Sequence, residues 1–234
     1  MFIDFHTHKP TAEGVITPRS FGIHPWDAEL AGPPTSSWAS FSPNDCKSNN
    51  TSSAQPPTYS RFVAAEIIGE CGLDKACGVD WEKQIELFRW QIEIAVELQK
   101  PMVIHCVRAM NEVIAMRREA RSPFSVLRCR LSRRHATPFH VSPWVIHGFI
   151  GNIQQAEQLF RAGIWVSFGA AILDPRREKV RHCLAEIKSP FLLETDESDC
   201  GIAAIYEEAA KLRNCSLEAL SDTIKQTYDT LINL

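Results

Sequence analysis

No run of about 18 apolar residues occurs in this 234-residue chain, so the sequence holds no candidate for a membrane-spanning helix. Charge of one sign is not in excess either. The formal net charge is −3, which excludes the broad basic field that draws in a nucleic-acid duplex. A phosphate-bearing substrate would have to be held by local side chains or by metal. The eight cysteines are scattered and never form a CxxC pair. They read as reduced thiols packed into a cytoplasmic protein rather than as a disulfide framework. The opening Met1–His6 lacks a basic segment and a long apolar core, so it does not read as a secretory leader. Neither a GxGxxG nor a P-loop follows any apolar run, which removes the usual dinucleotide and nucleotide readings.

What is present is an ordinary globular balance, 44% hydrophobic and 23% charged, at a length that suits one (β/α)₈ domain over residues 1–234. One stretch stands apart. Residues 32–60 are rich in Ser, Pro, Asn and Thr with no apolar period, and read as a polar insert that Trp38 and Phe41 could tack down. Elsewhere short apolar runs alternate with helical patterns. The expected strands are Phe2–His6, Ser20–His24, Phe62–Gly69, Met102–His105, Trp144–His147, Ile164–Phe168 and Phe191–Thr195, with Val15–Thr17 as a weak eighth. The expected helices are Trp81–Gln99 behind an Asp80 cap, and Ile153–Ala162 with Asn152 and Gln155 as a capping box and Gly163 at its end. A third opens at Asp174-Pro175, and Ile202–Leu212 and Leu217–Leu231 follow. Such alternation means a parallel sheet. Eight strands close a TIM-type (β/α) barrel; an open doubly wound sheet is the alternative.

The histidines and acids fall where a barrel would use them. His6 and His8 are two residues apart at the end of an apolar run, so on a strand they share a face at roughly 6–7 Å, a spacing that suits two ligands of one metal. Glu70, His105, His147, Asp196 and His24 each end another run. In a parallel barrel those ends meet on one rim, where active sites sit. Each of these residues taken singly is commonplace; it is their joint placement that points to a metal centre.

The segments HTH (6–8), GIHPW (22–26), GECGLDK (69–75), VIHCVRA (103–109), VIHGFIGN (145–152) and LLETDE (192–197) resemble, in order, the signatures of the TatD-related metal-dependent deoxyribonucleases. The resemblance runs from Met1 to about Glu197 and implies a TIM-type barrel with two divalent cations, Zn²⁺, Mn²⁺ or Mg²⁺. It implies that His6, His8 and Asp196 hold one cation, that His105 and His147 hold the other, and that Glu70 bridges both. Nitrogen and carboxylate ligands suit such ions independently of the resemblance. The implied activity is cleavage of DNA ends of the 3′–5′ exonuclease type. Between HTH and strand Ser20–His24 only Lys9–Arg19 is available, so the second strand unit is expected to be truncated.

Roles follow as expectations. Asp196 is ligand and general base, and Glu70 shares the catalytic centre. His24, Lys75 and Arg108 face substrate phosphate, although Arg108 reads equally as a surface cation and Lys75 as a plain solvated lysine. Asp74 and Glu194 orient ligands from behind. His135, His140 and His182 lie in polar or helical contexts and carry no role, and Cys71 and Cys106 are packing residues. The expected partner is the DNA end or oligonucleotide substrate; neither a membrane nor an obligate protein partner is indicated. Two other functions share this ligand scheme. One is an amidohydrolase-like enzyme cleaving a small ester, lactone or amide. The other is a non-catalytic scaffold that keeps its metal.

Overall fold

The computed structural model describes residues 1–29, 57–121 and 142–233, with the side chains of 57 and 58 excepted. Trp38, Phe41, His135 and His140 lie outside the described residues. Eight parallel strands form the wall: β1 (Phe2–Ile3), β2 (Val15–Ile16), β3 (Ser20–Phe21), β4 (Ile67–Asp74), β5 (Met102–Val107), β6 (Trp144–Ile146), β7 (Ile164–Phe168) and β8 (Phe191–Leu193). The order β3-β4-β5-β6-β7-β8 is continuous, and β1 pairs with β2. The first and last strands also meet. Phe5 donates its amide to Leu193 O at 3.0 Å, and Thr7 bridges to Asp196. That junction joins the two sheets into one curled wall in TIM-type barrel order, while β2 and β3 do not pair among the described residues. The second unit is a stub, as its sequence implies: β2 has two residues, and only 17–19 separate it from β3.

Helices α1 (Pro57–Ala64), α2 (Trp81–Leu98), α3 (Met110–Arg121), α4 (Ile153–Arg161), α5 (Glu178–Glu186), α6 (Ile202–Leu212) and α7 (Leu217–Asn233) follow in chain order. The barrel strands are mostly apolar because helices cover them, with Glu70, Asp74 and His105 as the exceptions that serve the site. α2 lies against β4, α3 against β5 and α4 against β7, while α6 and α7 cover β1 and β8. Local chemistry sets the ends. Asp80 accepts the Lys83 amide at 3.0 Å, and Gln99 closes α2 in the left-handed region at φ 54°. Asn152 and Gln155 form both arms of the expected capping box, each at 2.9 Å.

Several expected boundaries are wrong. Phe62 is not in a strand. It belongs to α1, whose helical turn begins at Pro57, inside the stretch read as polar insert. The Lys100 ammonium meets the carbonyls of Phe62, Val63 and Ala65 at 2.9, 2.6 and 2.5 Å, terminating that helix, and Phe62 packs edge-on against Phe21 and Trp90. No local pattern announces a lysine 35 or more residues away. Nor does Asp174-Pro175 open a helix. Asp174 caps a turn by accepting the Arg176 amide and guanidinium, and α5 begins only at Glu178.

The same error hides a feature of β4. This strand does not stop at Gly69 but runs to Asp74, with a register shift between Ile68 and Cys71. The bulge turns Glu70 into the barrel mouth. Glycines make it possible. A Cβ on Gly69 (φ 134°) would sit 2.2 Å from Val103 O, and one on Gly72 (φ 146°) 2.0 Å from His105 O. Gly72→Ala is therefore expected to cost on the order of 3 kcal/mol or more, read as a lowered denaturant midpoint. Gly78→Ala, where a Cβ meets open space, should shift it by no more than about 0.5 kcal/mol. Equal midpoints for the two variants would refute this account of the strand.

Candidate metal centre

The residues at the strand ends converge on one carboxylate. Glu70 Oε2 lies 3.2 Å from His6 Nε2 and 3.2 Å from His8 Nε2. Glu70 Oε1 lies 2.8 Å from His105 Nδ1, 2.7 Å from His147 Nε2 and 3.2 Å from His24 Nε2. Each oxygen thus serves its own set of imidazoles. Asp196 Oδ1 stands 3.8 Å from His6 Nε2 and 3.6 Å from His8 Nε2, and its Oδ2 is 3.9 Å from His147 Nδ1. Three overlapping triads have ligand atoms within 4.8 Å of one another: His6, His147 and Asp196; His6, His8 and Glu70; His24, Glu70 and His105.

The backbone explains this convergence. Asp196 takes the left-handed conformation at φ 53°, which aspartate tolerates better than most residues. Its amide donates to His6 O at 2.9 Å, and its carbonyl accepts the His8 amide at 3.3 Å and the Thr7 hydroxyl at 3.2 Å. Beneath them, buried Asp4 accepts the Thr195 amide at 2.8 Å and the Thr195 hydroxyl at 2.6 Å. This clamp fixes the HTH segment of the first strand against Asp196 on the last. Asp4 escapes a reading centred on histidines. Strand alternation gives the signal that would have found it, since Asp4, His6 and His8 fall on one face.

A second layer holds the ligands from behind. Asp74 Oδ2 is 3.2 Å from His105 Nε2 and accepts the Trp26 indole N–H at 2.7 Å. Its other oxygen accepts the amides of Ala76 and Cys77, and Gln84 braces its backbone at both ends. Glu194 is fully buried, accepts the Gly148 amide at 2.5 Å and lies 3.7 Å from His147 Nδ1. At that distance the last contact is a charge interaction rather than a hydrogen bond. Gln91 grips Ile23 through both its N–H and its carbonyl, at 2.7 and 2.9 Å, and so sets the loop that carries His24. Gln84 and Gln91 give no local sequence signal, because both point inward from an otherwise apolar helix face.

Electrostatics follow from this packing. Burial works to raise the Glu70 carboxyl, but His105, His147, His24 and His6 outweigh it and hold the group far below the usual carboxylate range. Burial works to lower His147, yet Glu194 and Glu70 lift it to about 10. Asp74 and Glu194 also stay below their ordinary values despite burial, held there chiefly by the Trp26 N–H and by His147 respectively. The thiols behave as packing groups: burial pushes Cys71 well up and Cys106 to about 11.

The donor set fits divalent cations. Imidazole nitrogens and carboxylate oxygens gather within ligand reach of one another, and the buried His147 Nδ1 has no hydrogen-bond partner among the described residues. The remaining expected residues stand farther out. Lys75 pairs with Glu112 at 2.5 Å and lies over the Trp81 ring. Arg108 is exposed at the end of β5, at φ 54°. His182 is exposed on α5, and none of the three triads includes it.

The geometry has a counterpart among known proteins. A family model described as TatD related DNase matches residues 11–233. The chain belongs to the TatD-related DNase family. It is 32% identical over 175 residues to an uncharacterized metal-dependent hydrolase, YjjV, of Escherichia coli, covering 71% of this chain and 60% of that protein. It is 28% identical over 233 residues to a 3′-5′ ssDNA/RNA exonuclease TatD of Edwardsiella piscicida, covering 91% and 76%. The chain thus spans about three-fifths to three-quarters of the length of these relatives. The solved structure of the Escherichia coli YjjV, a TatD homolog, superposes with a TM-score of 0.62 at 20% identity, covering 95% of this chain and 78% of that one. An uncharacterized amidohydrolase of Saccharomyces cerevisiae gives 0.60 at 14% identity, covering 93% and 80%. Both neighbours share the fold. As a TatD-related DNase family member, the chain carries its candidate ligands at the barrel mouth. Among the described residues no helix is long and apolar enough to cross a membrane.

Metal should therefore stabilise the folded chain. Zn²⁺ or Mn²⁺ at about 100 times its Kd is expected to add roughly 2.7 kcal/mol, read as a raised Tm in thermal denaturation. EDTA and Glu70→Ala should each abolish the gain. It should shrink from about pH 7.5 to about pH 5, because protons compete with cations for imidazole nitrogens. A gain that survives in Glu70→Ala would place the ion elsewhere.

Proposed function

We propose that the chain hydrolyses phosphodiester bonds at the ends of single-stranded DNA, removing nucleotides in the 3′–5′ direction, at a centre of two divalent cations. One observation carries this reading: the two Glu70 oxygens face separate histidine sets, His6 and His8 on one side and His105 and His147 on the other. A carboxylate so placed suits a bridge between two ions. Such a pair supplies, when bound, an activated water and a clamp on the attacking and leaving oxygens of a phosphodiester. The nuclease names of relatives such as the Edwardsiella protein support the substrate class.

The chain's own groups divide the remaining work. His6, His8 and Asp196 hold one ion, His105 and His147 the other. With Asp74 accepting from His105 Nε2, the Nδ1 lone pair is left to a ligand bond, and His147 turns its Nε2 to the same Glu70 oxygen. His24 is different. Its Nδ1 accepts the Trp26 amide at 3.3 Å, so its proton sits on Nε2. That nitrogen donates rather than ligates, which suits a hydrogen bond to substrate phosphate. Asp196, about one-third exposed, takes the proton of the attacking water. Arg108 has no ion-pair partner among the described residues and supplies the bidentate phosphate contact. Lys75 assists from its pair with Glu112, which is exposed and hence weak enough for a phosphate to replace. The net charge of −3 fits single-stranded ends delivered to local cations better than tracking along a duplex.

The decisive assay offers single-stranded DNA and a panel of small esters, lactones and amides with Mg²⁺, Mn²⁺, Zn²⁺ or EDTA. Shortening of DNA from its 3′ end that requires metal is expected. Asp196→Asn should lower kcat by about 10²–10⁴-fold while the fold is kept. His105→Ala should also abolish turnover. Turnover confined to the ester and amide panel, or metal uptake with no turnover, would overturn the reading.

A further inference from the structure

Among the described residues, Trp26 is the one large aromatic at the barrel mouth that burial does not explain: 58% of it is exposed. It is nonetheless held firmly. It lies on a 3-10 turn, Pro25–Asp27, begun by His24. Its indole N–H donates to Asp74 at 2.7 Å, and Asp74 is itself nearly fully buried and fixed by the amides of Ala76 and Cys77. Its ring stands edge-to-face with His24, centroids 4.7 Å apart, and 6.1 Å from the His105 ring. A tryptophan placed only for packing would bury its ring. One left merely on the surface would not be tied by its polar edge to the carboxylate that orients a candidate ligand. The combination is a rigid indole with open surface beside the reacting centre.

We infer that Trp26 is a stacking platform for the terminal nucleobase of the strand whose end phosphodiester is cut. This rests on the phosphodiesterase reading above and specifies how the substrate is gripped. A π-face accepts every base, so such a platform confers binding without sequence preference. Its position beside His24, the proposed phosphate donor, sets base and phosphate on adjacent groups of one turn. Because the same Asp74 oxygen approaches both Trp26 and His105, the turn that carries the platform is locked to the centre it feeds.

The test measures binding rather than turnover. Full-length protein with Mn²⁺ is titrated against a fluorescent single-stranded oligonucleotide made uncleavable by phosphorothioates, and against the same strand abasic at both terminal nucleotides. Trp26→Ala is expected to weaken the base-bearing strand about 5- to 100-fold, the span of base–aromatic stacking, and to leave the abasic strand within about twofold. Trp26→Phe, which keeps a π-face but loses the bond to Asp74, should fall between. Metal content measured on each variant checks that the centre is intact. No loss in Trp26→Ala, or equal loss on both strands, overturns the platform while leaving the phosphodiesterase reading standing. Wild-type protein that binds neither strand and does not shorten the unmodified oligonucleotide overturns both.

Discussion

The fold of this chain is organised around one buried carboxylate with too many neighbours. Glu70 is carried mid-strand into the barrel mouth and surrounded by five imidazoles within 3.2 Å. Taking such a charge out of water costs several kcal/mol unless cationic or donor groups replace the lost hydration. The histidines supply that replacement, and the cost explains why they must come from several strands at once: no single element can present five nitrogens to two oxygens. Curling the sheet until β1 meets β8 is thus the means by which the carboxylate is made tolerable. Divalent cations fit the same arrangement, since positive charge shared among these nitrogens and oxygens serves the carboxylate better than protons alone.

Two devices keep the carboxylate where it is. The glycines at 69 and 72 let β4 bulge against β5 at distances no side chain would permit. The Asp4–Thr195 clamp ties the first strand to the last and so brings His6, His8 and Asp196 to the same oxygen face. Neither device touches the chemistry directly. Both act on register, and a shift of one residue would turn His6 and His8 away from the mouth.

The sequence shows the ligands more clearly than it shows the strands that carry them. Glu70, His105, His147 and Asp196 stand out because each follows a short apolar run, and the barrel brings the ends of those runs together. Helix α2 and helix α4 are equally legible, since Asp80, Asn152 and Gln155 cap through bonds to residues three away. Apart from the local Asp174–Arg176 turn, the failures are non-local. Phe62 reads as strand because it is apolar and buried, but its helix is set by Lys100 from beyond the next helix. Glu70 reads as a strand end because a bulge there breaks the alternation that would have continued the strand to Asp74. Gln84, Gln91 and Asp4 are polar groups whose partners lie 10, 68 and 191 residues away, and composition alone cannot reveal them.

The reduced second unit is consistent with this division of labour. β2 contributes two residues and none of the cluster's ligands, and it serves chiefly to flank β1, where Asp4 donates its amide to Ile16 O at 2.9 Å. The candidate ligands lie within β4 and β5 or just beyond β1, β6 and β8, and each of those strands has a neighbour other than β2: β1 meets β8, β4 pairs with β5, and β6 with β7. Shortening the unit between β1 and β3 therefore alters the rim without removing any of the candidate metal ligands. It also places His24 and Trp26 directly after a very short crossover, so the turn that carries them is anchored not by a helix of its own unit but by Gln91 of α2 and Asp74 of β4. Among the described residues, this edge of the mouth is held by three partly buried side-chain hydrogen bonds.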